Sequence, residues 1–531
     1  MNRILDILRS PDAVYAQTAD SFFKLDRASS AFAGGGVRLE FPLTGTALDV
    51  VLTADVPVKR LRLRWREDAS SVQRVLTDSW GVANGNLGWY PVIGERPLYW
   101  YFHTWDGELT HSYGVRTAPN AFCFWQLDPA GITLTLDVRS GGAGVELKAP
   151  LTCCSIVTRE GIEGERPFAA CEAFCSMMCQ HSSVPDRPVF GLNNWYYAYG
   201  DISRESVIAD AEMTARVAGG FDYAPYMVVD DGWQPNRIGD CDYIGGPWTH
   251  GNRYMGNMQE LAGEIAARGC LPGLWMRPLL TIERIPKDWF LQRPEPGMVG
   301  KYIDPSHPEV LAQIREDVSR IVGWGYRLIK HDFSCPDLMG MMHFDTVELT
   351  PDGWHLHDRS KPTAQVYVEL YRTIQAAAGP DTLVMGCNTY NHLCAGIHQI
   401  QRSGYDTSSN WNITRRRGIN CLAFRQPQNR RFFLTDADCA PFTEHSSYQL
   451  NLDFLDCVAR SGSSMFASIK PGVLTDRQLD RIREVFAVGS RHGNTSEAVD
   501  WMQHSTPSQY LFDGQIYTYD WYSLTDGAVI L

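Results

Sequence analysis

Between residues 186 and 490 short apolar runs alternate with longer stretches whose apolar positions recur every three or four residues. The runs are "VFGLNNW", "YMVVDDGW", "LPGLWMRP", "YRLIKHDF", "TLVMGCNTY", "GIHQIQRS", "RFFLTDAD" and "GSSMFAS". Most are separated by stretches such as "ESVIADAEMTARVA", "MQELAGEIAARG", "PEVLAQIREDVSRIVGWG" and "AQVYVELYRTIQAAAG". Their spacing predicts amphipathic helices, several of them ending on the glycine that helix termini favour. Eight strand–helix repeats over about 300 residues predict an α/β fold of the (β/α)₈ TIM-barrel type. An open doubly wound sheet is the alternative. It would want a glycine-rich phosphate loop after its first strand, and the chain has none there.

The pattern differs on both sides of this block. Up to residue 185, "RLRLRW", "LYWYFHTW" and "ITLTLDV" alternate or carry β-branched and aromatic residues between Gly, Pro and Asp turns such as "SGGAG". They predict an antiparallel β-sandwich over residues 1–185. "VPDRPVFG" marks a boundary near Asp186, and the barrel is expected over 186–490. Beyond it "YLFDGQIYTYDWYSL" and "GAVIL" predict a small C-terminal β-domain over 491–531. A chain of 531 residues is expected to hold more than one core.

The net charge of −13 argues against nucleic acid or an anionic membrane surface as partner. "MNRILDILRS" does not read as a signal peptide, and no run approaches the roughly 20 apolar residues that span a bilayer, so a cytoplasmic location is expected. The 14 cysteines are scattered and expected to be reduced. Cys171, Cys175 and Cys179 recur every four residues, the spacing of one helix face turned to a core rather than of a metal site. The sequence leaves a homo-oligomer open.

Chemistry concentrates at the ends of the predicted strands, where a barrel places its active site. In order these ends carry Asn193, Asn194 and Trp195; Asp230, Asp231 and Trp233; Trp275 and Arg277; Lys330 and Asp332; Cys387 and Asn388; Arg402 and Asp406; Asp436 and Asp438. Helix capping accounts for one or two such ends, and seven converging together predict a polar pocket with an aromatic rim. Strand alternation sets Lys330 and Asp332 on one side and His331 on the other. Ionised groups mixed with tryptophan suit a neutral polyhydroxylated ligand, because sugar hydroxyls donate and accept while their C–H faces stack on indole. Two carboxylates there suit glycoside hydrolysis. Asp332 beside Lys330 is expected to be ionised, and Asp406 to occupy a less polar spot and keep a proton for the leaving group.

On these residues the chain resembles clan D of the glycoside hydrolases, closest to family 36, with family 27 more distant: the α-galactosidase and α-N-acetylgalactosaminidase group. "NNWYYAYGD", "VVDDGWQ", "LIKHDF" and "RSGYD" are similar, in order, to the family's strand-end motifs. The resemblance implies Asp332 as nucleophile and Asp406 as acid/base. It further implies Asp230, Asp231 and Lys330 on the hydroxyls around C3, C4 and C6, Arg402 on the C2 hydroxyl, and Trp195 shaping the pocket. Trp275, Cys387 and Asn388 complete the expected substrate-binding set, with no metal and no cofactor. Three stretches depart from family 36: "HDFSC" after the lysine, "MRPLL" where Glu-Pro-Glu is usual, and "CNTYNHLC" where a glycine-rich turn is usual.

His355 and His357 have a spacing seen in metal-dependent barrel hydrolases, but those carry the pair on the first strand. The long stretch from Phe333 to Lys361 has the length of a lid or an aglycone-binding element. Asp436 and Asp438 are expected as hydrogen-bonded barrel-end residues, and Trp89 and Tyr90 are read first as structural residues of the N-terminal domain and only second as residues reaching the site. The preferred expectation is a retaining α-glycosidase acting on a terminal galactose-like sugar of an oligosaccharide or glycoside. A transglycosylase of the raffinose-synthase kind and a non-catalytic carbohydrate-binding barrel are the alternatives.

Overall fold

The structure is a computed structural model that describes residues 4–235, 243–293, 300–340 and 346–522. Its centre is a ring of eight parallel strands: β1 (Phe190–Asn193), β2 (Tyr226–Val229), β3 (Leu271–Met276), β4 (Leu328–His331), β5 (Leu383–Gly386), β6 (Ile400–Arg402), β7 (Leu434–Asp436) and β8 (Met465–Ile469). Each pairs with the next in parallel from β1 to β7, and β8 pairs with β1. One parallel bridge between Asp436 and Ser464 closes the seam from β7 to the start of β8. β1 to β8 are buried along almost their whole length, which is why their runs read as continuously apolar rather than alternating. Gly191 lets β1 and β2 approach, since a Cβ there would lie 1.9 Å from the Tyr226 carbonyl oxygen.

The predicted helices form where the periodicity places them, at Arg204–Ala218, Met258–Ala267, Pro308–Gly323 and Thr363–Ala378. Ser203 opens the first with a reciprocal capping box, satisfying two otherwise orphaned backbone donors. The crossover from β5 to β6 departs from the repeat, because it holds only the one-turn helix Asn391–Cys394. The β-rich N-terminal region covers that place: the Ala118 N–H donates to the His392 carbonyl, and the His392 ring stacks on Trp100 at 5.2 Å.

Fourteen strands between Ala13 and Arg159 form a single hydrogen-bonded antiparallel sheet. The sandwich expectation is refined here: hydrogen bonding runs on from strand to strand, with no break dividing the strands into two sheets. Helix Pro167–Met178 follows, with Cys171 and Cys175 buried along one face and burial raising both thiols. After the barrel, Glu497–Ala498, Gln509–Phe512 and Gln515–Thr518 make a three-stranded antiparallel sheet. The predicted "GAVIL" strand lies outside the described residues. Trp501 packs against Trp89, Phe168 and Phe424 at 5.7, 5.4 and 5.6 Å, joining the three parts of the chain around one indole. Among the described residues no helix is long and apolar enough to cross a membrane.

One contact between regions positions the site. Residues 83–85 of the N-terminal region lie along the loop that follows β6. The Ala83 N–H donates to the Ser403 carbonyl and the Tyr405 N–H to the Ala83 carbonyl.

Candidate active site

A cavity of about 260 Å³ opens at the C-terminal ends of the barrel strands, bounded by Trp195, Asp230, Asp231, Trp275, Lys330 and Asp332. Phe333, Asn388, Tyr405, Asp406, Arg417 and Ile244 complete its wall. The ends of β1, β2, β3, β4, β5 and β6 therefore all contribute.

The floor on the β2 side is a saturated ionic cluster. Lys330 Nζ lies 2.6 Å from Asp230 Oδ2, which also accepts from Asn193 Nδ2 at 2.6 Å. Asp230 Oδ1 accepts from the Asp231 N–H at 2.9 Å. Burial opposes the Lys330 ammonium, but Asp230, then Cys387 and Asp332, outweigh it and hold this lysine well above its ordinary range. The Asp-Asp-Gly-Trp turn has a steric reason as well. Gly232 adopts φ +121°, and a Cβ there would sit 2.4 Å from the Gly200 carbonyl oxygen. Trp233 lies beneath, fully buried, donating from Nε1 to the Trp275 carbonyl.

Asp332 is held differently. Its Oδ2 accepts from Trp275 Nε1 at 3.0 Å. Its Oδ1 accepts from the Phe333 N–H and from Asn388 Nδ2, both at 2.7 Å. Three donors on two oxygens fix the carboxylate plane. Phe333 and Asn388 reach it from left-handed backbone, at φ +64° and +46°. Non-glycine residues in that region store strain that the surroundings must hold, and such strain gathers at functional sites.

Asp406 enters the cavity wall from the loop after β6, and its surroundings correct the expectation of a less polar spot. Its side chain is 52% exposed, and Oδ1 lies 3.1 Å from an Arg402 guanidinium nitrogen. Arg402 itself is buried. It pairs with Asp438 at 2.7 Å, touches Cys387 Sγ at 3.6 Å and stands behind the wall rather than in it. Arg402 and Cys387, both expected to touch substrate, stand next to the lining residues, with Arg402 bonded to Asp406 and Asp438. Asp438 accepts from Arg402, the Thr407 N–H and the Tyr196 hydroxyl, and Asp436 Oδ1 accepts from the Asp438 N–H. Burial raises Asp436 to about 6 against the pull of Arg402. Both serve the barrel end.

Arg277, at the end of β3, also turns away from the cavity. It forms a fully buried ion pair with Asp337, 2.6 Å apart, and its guanidinium lies 4.3 Å from the Phe333 ring centroid. Breaking a buried pair leaves the partner charge uncompensated, at about 3–5 kcal/mol. Arg277→Ala is therefore expected to lower the thermal midpoint strongly, while Arg277→Met with Asp337→Leu recovers much of the loss. Equal midpoints for the wild type and Arg277→Ala would refute this role.

Of the described residues from Phe333 to Lys361, Phe333 alone lines the cavity. Residues 341–345 lie outside the described residues. Residues 346–361 run over the N-terminal sheet instead: Trp80 Nε1 donates to the Thr346 carbonyl, Arg139 pairs with Asp352 at 3.0 Å, and the Gly142 N–H donates to the Trp354 carbonyl. The described part is an anchor between regions rather than a lid. Within it His357 donates its N–H to Asp304 and sets its ring at a tilt 4.2 Å from that of His307, and His355 binds the Leu356 carbonyl. Among the described residues no group of three or more His, Cys, Asp or Glu is arranged to hold a metal. Trp89 packs on Trp501 and Tyr90 bridges Val75, so neither reaches the cavity. The N-terminal approach is made by residues 83–85 instead.

Four wall residues were not anticipated from the sequence. Phe333 and Tyr405 each adjoin a predicted carboxylate, which was an available signal. Ile244 and Arg417 had none, since Arg417 lies 11 residues past Asp406 and donates back to the Asp406 carbonyl at 2.8 Å.

No family model matches the chain. Over 147 residues it is 28% identical to the alpha-galactosidase AgaA of Geobacillus stearothermophilus, a match covering 26% of this chain and 19% of that protein. Solved structures match over far more of its length. An alpha-galactosidase from Thermus thermophilus, in complex with p-nitrophenyl alpha-D-galactopyranoside, superposes with TM-score 0.59 at 15% identity, covering 92% of this chain and 97% of that one. The family 36 (GH36) alpha-galactosidase AgaA of G. stearothermophilus gives TM-score 0.59 at 15% identity, covering 87% and 68%. The chain is similar in fold to these family 36 α-galactosidases.

Proposed function

We propose that the chain is a retaining α-glycosidase that releases a terminal galactose-like sugar from an oligosaccharide or glycoside. The observation that carries this reading is the pair of carboxylates in one cavity of about 260 Å³ with opposite settings: Asp332 buried and held by three donors, Asp406 half exposed on a loop. The cavity is smaller than the roughly 300–1,000 Å³ usual for drug-sized ligands, which suits one ring inside and the aglycone outside. Its likeness in fold to the α-galactosidases supports the same reading.

In this mechanism Asp332 attacks the anomeric carbon while Asp406 gives its proton to the glycosidic oxygen. The aglycone leaves, and the sugar is esterified to Asp332. Asp406, now a carboxylate, takes a proton from water as that water attacks the same carbon, which frees Asp332 and regenerates the acid. A bound ring and aglycone exclude water from around Asp406 in the acid step. Lys330, Asp230 and Asp231 grip the hydroxyls on the β2 and β4 side, and Trp195 and Trp275 supply the apolar faces.

Groups built to bond one hydroxyl are left unpaired by its epimer and reject it. Aryl α-galactosides are expected to exceed the matching α-glucosides in kcat/KM by roughly 10²-fold or more. Proton NMR of the early reaction is expected to show the α-anomer of the sugar first. The β-anomer appearing first would overturn double displacement, and comparable rates on α-glucosides would discard the galactose assignment alone.

A further inference from the structure

In a chain of net charge −13 three arginines are consecutive, Arg415–Arg417, and the last of them lines the cavity. They open a π-helical segment, Arg415–Asn420, a distortion that α-helices keep mostly at functional positions. None of the three has a carboxylate partner among the described residues. Arg415 donates to Thr506 Oγ1 and the Tyr522 hydroxyl, and Arg416 reaches only the Asn84 carbonyl at 3.5 Å. Arg417 donates from Nε to Asn84 Oδ1 and from one terminal nitrogen to the Asp406 carbonyl, over the Tyr405 ring at 5.6 Å. Its second terminal nitrogen makes no hydrogen bond within the described residues, and the residue lines the cavity. The cavity's other cation, Lys330, is by contrast 2.6 Å from its counterion.

The position of Arg417 says which part of a ligand it meets. An acid that protonates the glycosidic oxygen faces the leaving group, and Arg417 is bonded to the backbone of that acid. The interior holds Asp230, Asp231 and Asp332 against one cation, Lys330, and this excess of negative charge repels an anion. A negative group is tolerated only at the rim. We propose that Arg417 is the recognition residue for an anionic aglycone: the substrate carries a carboxylate or a phosphate on the leaving group, close to the bond that breaks, and not on the sugar itself. This rests on the glycosidase reading above and deepens it. Asn84, whose neighbour Ala83 is bonded to Ser403 and Tyr405, holds the guanidinium in place.

The test uses aryl α-galactosides with a meta or para carboxylate, phosphonate or neutral carboxamide, compared by kcat/KM in the full-length protein. The preference for an anionic over the carboxamide aglycone is expected to be about tenfold or more, the size of one charge-assisted hydrogen bond. It should shrink as salt is raised, collapse in Arg417→Gln and persist in part in Arg417→Lys. Taking the ratio within each variant cancels any general damage from moving the Asp406 loop. The carboxylate and phosphonate members show which anion is preferred. The same anion-to-neutral ratio in the wild type and Arg417→Gln, or a ratio indifferent to salt, overturns the inference and leaves the glycosidase reading intact. Turnover of no member of the set removes the galactoside reading, and this inference with it.

Discussion

Asp332→Ala is expected to lose turnover by on the order of 10⁴-fold or more, the scale seen when a covalent nucleophile is removed. The reason lies in the wiring of the carboxylate. Trp275 Nε1, the Phe333 N–H and Asn388 Nδ2 all converge on it, and all three are neutral donors, whereas one of the three on Asp230 is the Lys330 ammonium. Removal also leaves the buried Trp275 Nε1–H unsatisfied, at about 1–3 kcal/mol, beside strained backbone at Phe333 and Asn388. Asp332→Asn is therefore the better control for folding, because its amide oxygen still accepts from Phe333 and Asn388. Both variants should retain the wild-type circular dichroism. A mechanism-based fluorosugar should label a peptide containing Asp332, identified by mass spectrometry. Labelling of another residue, or an active Asp332→Ala, overturns the assignment.

The ends of β2 and β4 were legible in the sequence because their charges interrupt otherwise apolar runs. The two-residue spacing of Lys330 and Asp332 implied a shared side, and both do face the cavity, while His331 turns the other way, 5.6 Å from His398. What stayed hidden was decided by partners far along the chain. Arg277 has the look of a ligand at a strand end, yet Asp337, 60 residues on, draws it beneath Phe333. Arg402 is bonded to Asp438, 36 residues on, and so braces the Asp406 loop, a role its strand-end position does not disclose. The short crossover after β5 and the run of residues 346–361 over the N-terminal sheet follow from contact between regions. Periodicity within one segment carries no record of such contacts.

The bracing of that loop bears directly on the acid. Asp406 lies four residues beyond Arg402, tied to it at 3.1 Å and through its own carbonyl to Arg417, so its position is fixed while its side chain stays half exposed. A group placed this way transfers protons to and from solvent readily, as an acid/base that acts twice per turnover requires. Asp406→Ala is expected to slow substrates with poor, sugar-like leaving groups by on the order of 10²–10⁴-fold, because these need protonation to depart. Activated aryl glycosides need little help, so they should still form the covalent intermediate and then stall for want of a base. Added azide, which attacks without giving up a proton, should release the stalled sugar as the α-glycosyl azide. Asp406→Asn, which preserves an acceptor for Arg402, should show the same leaving-group dependence and so separate lost proton transfer from a displaced loop. Equal damage to good and poor leaving groups, with no azide product, would mean that Asp406 positions the substrate and that the proton comes from elsewhere.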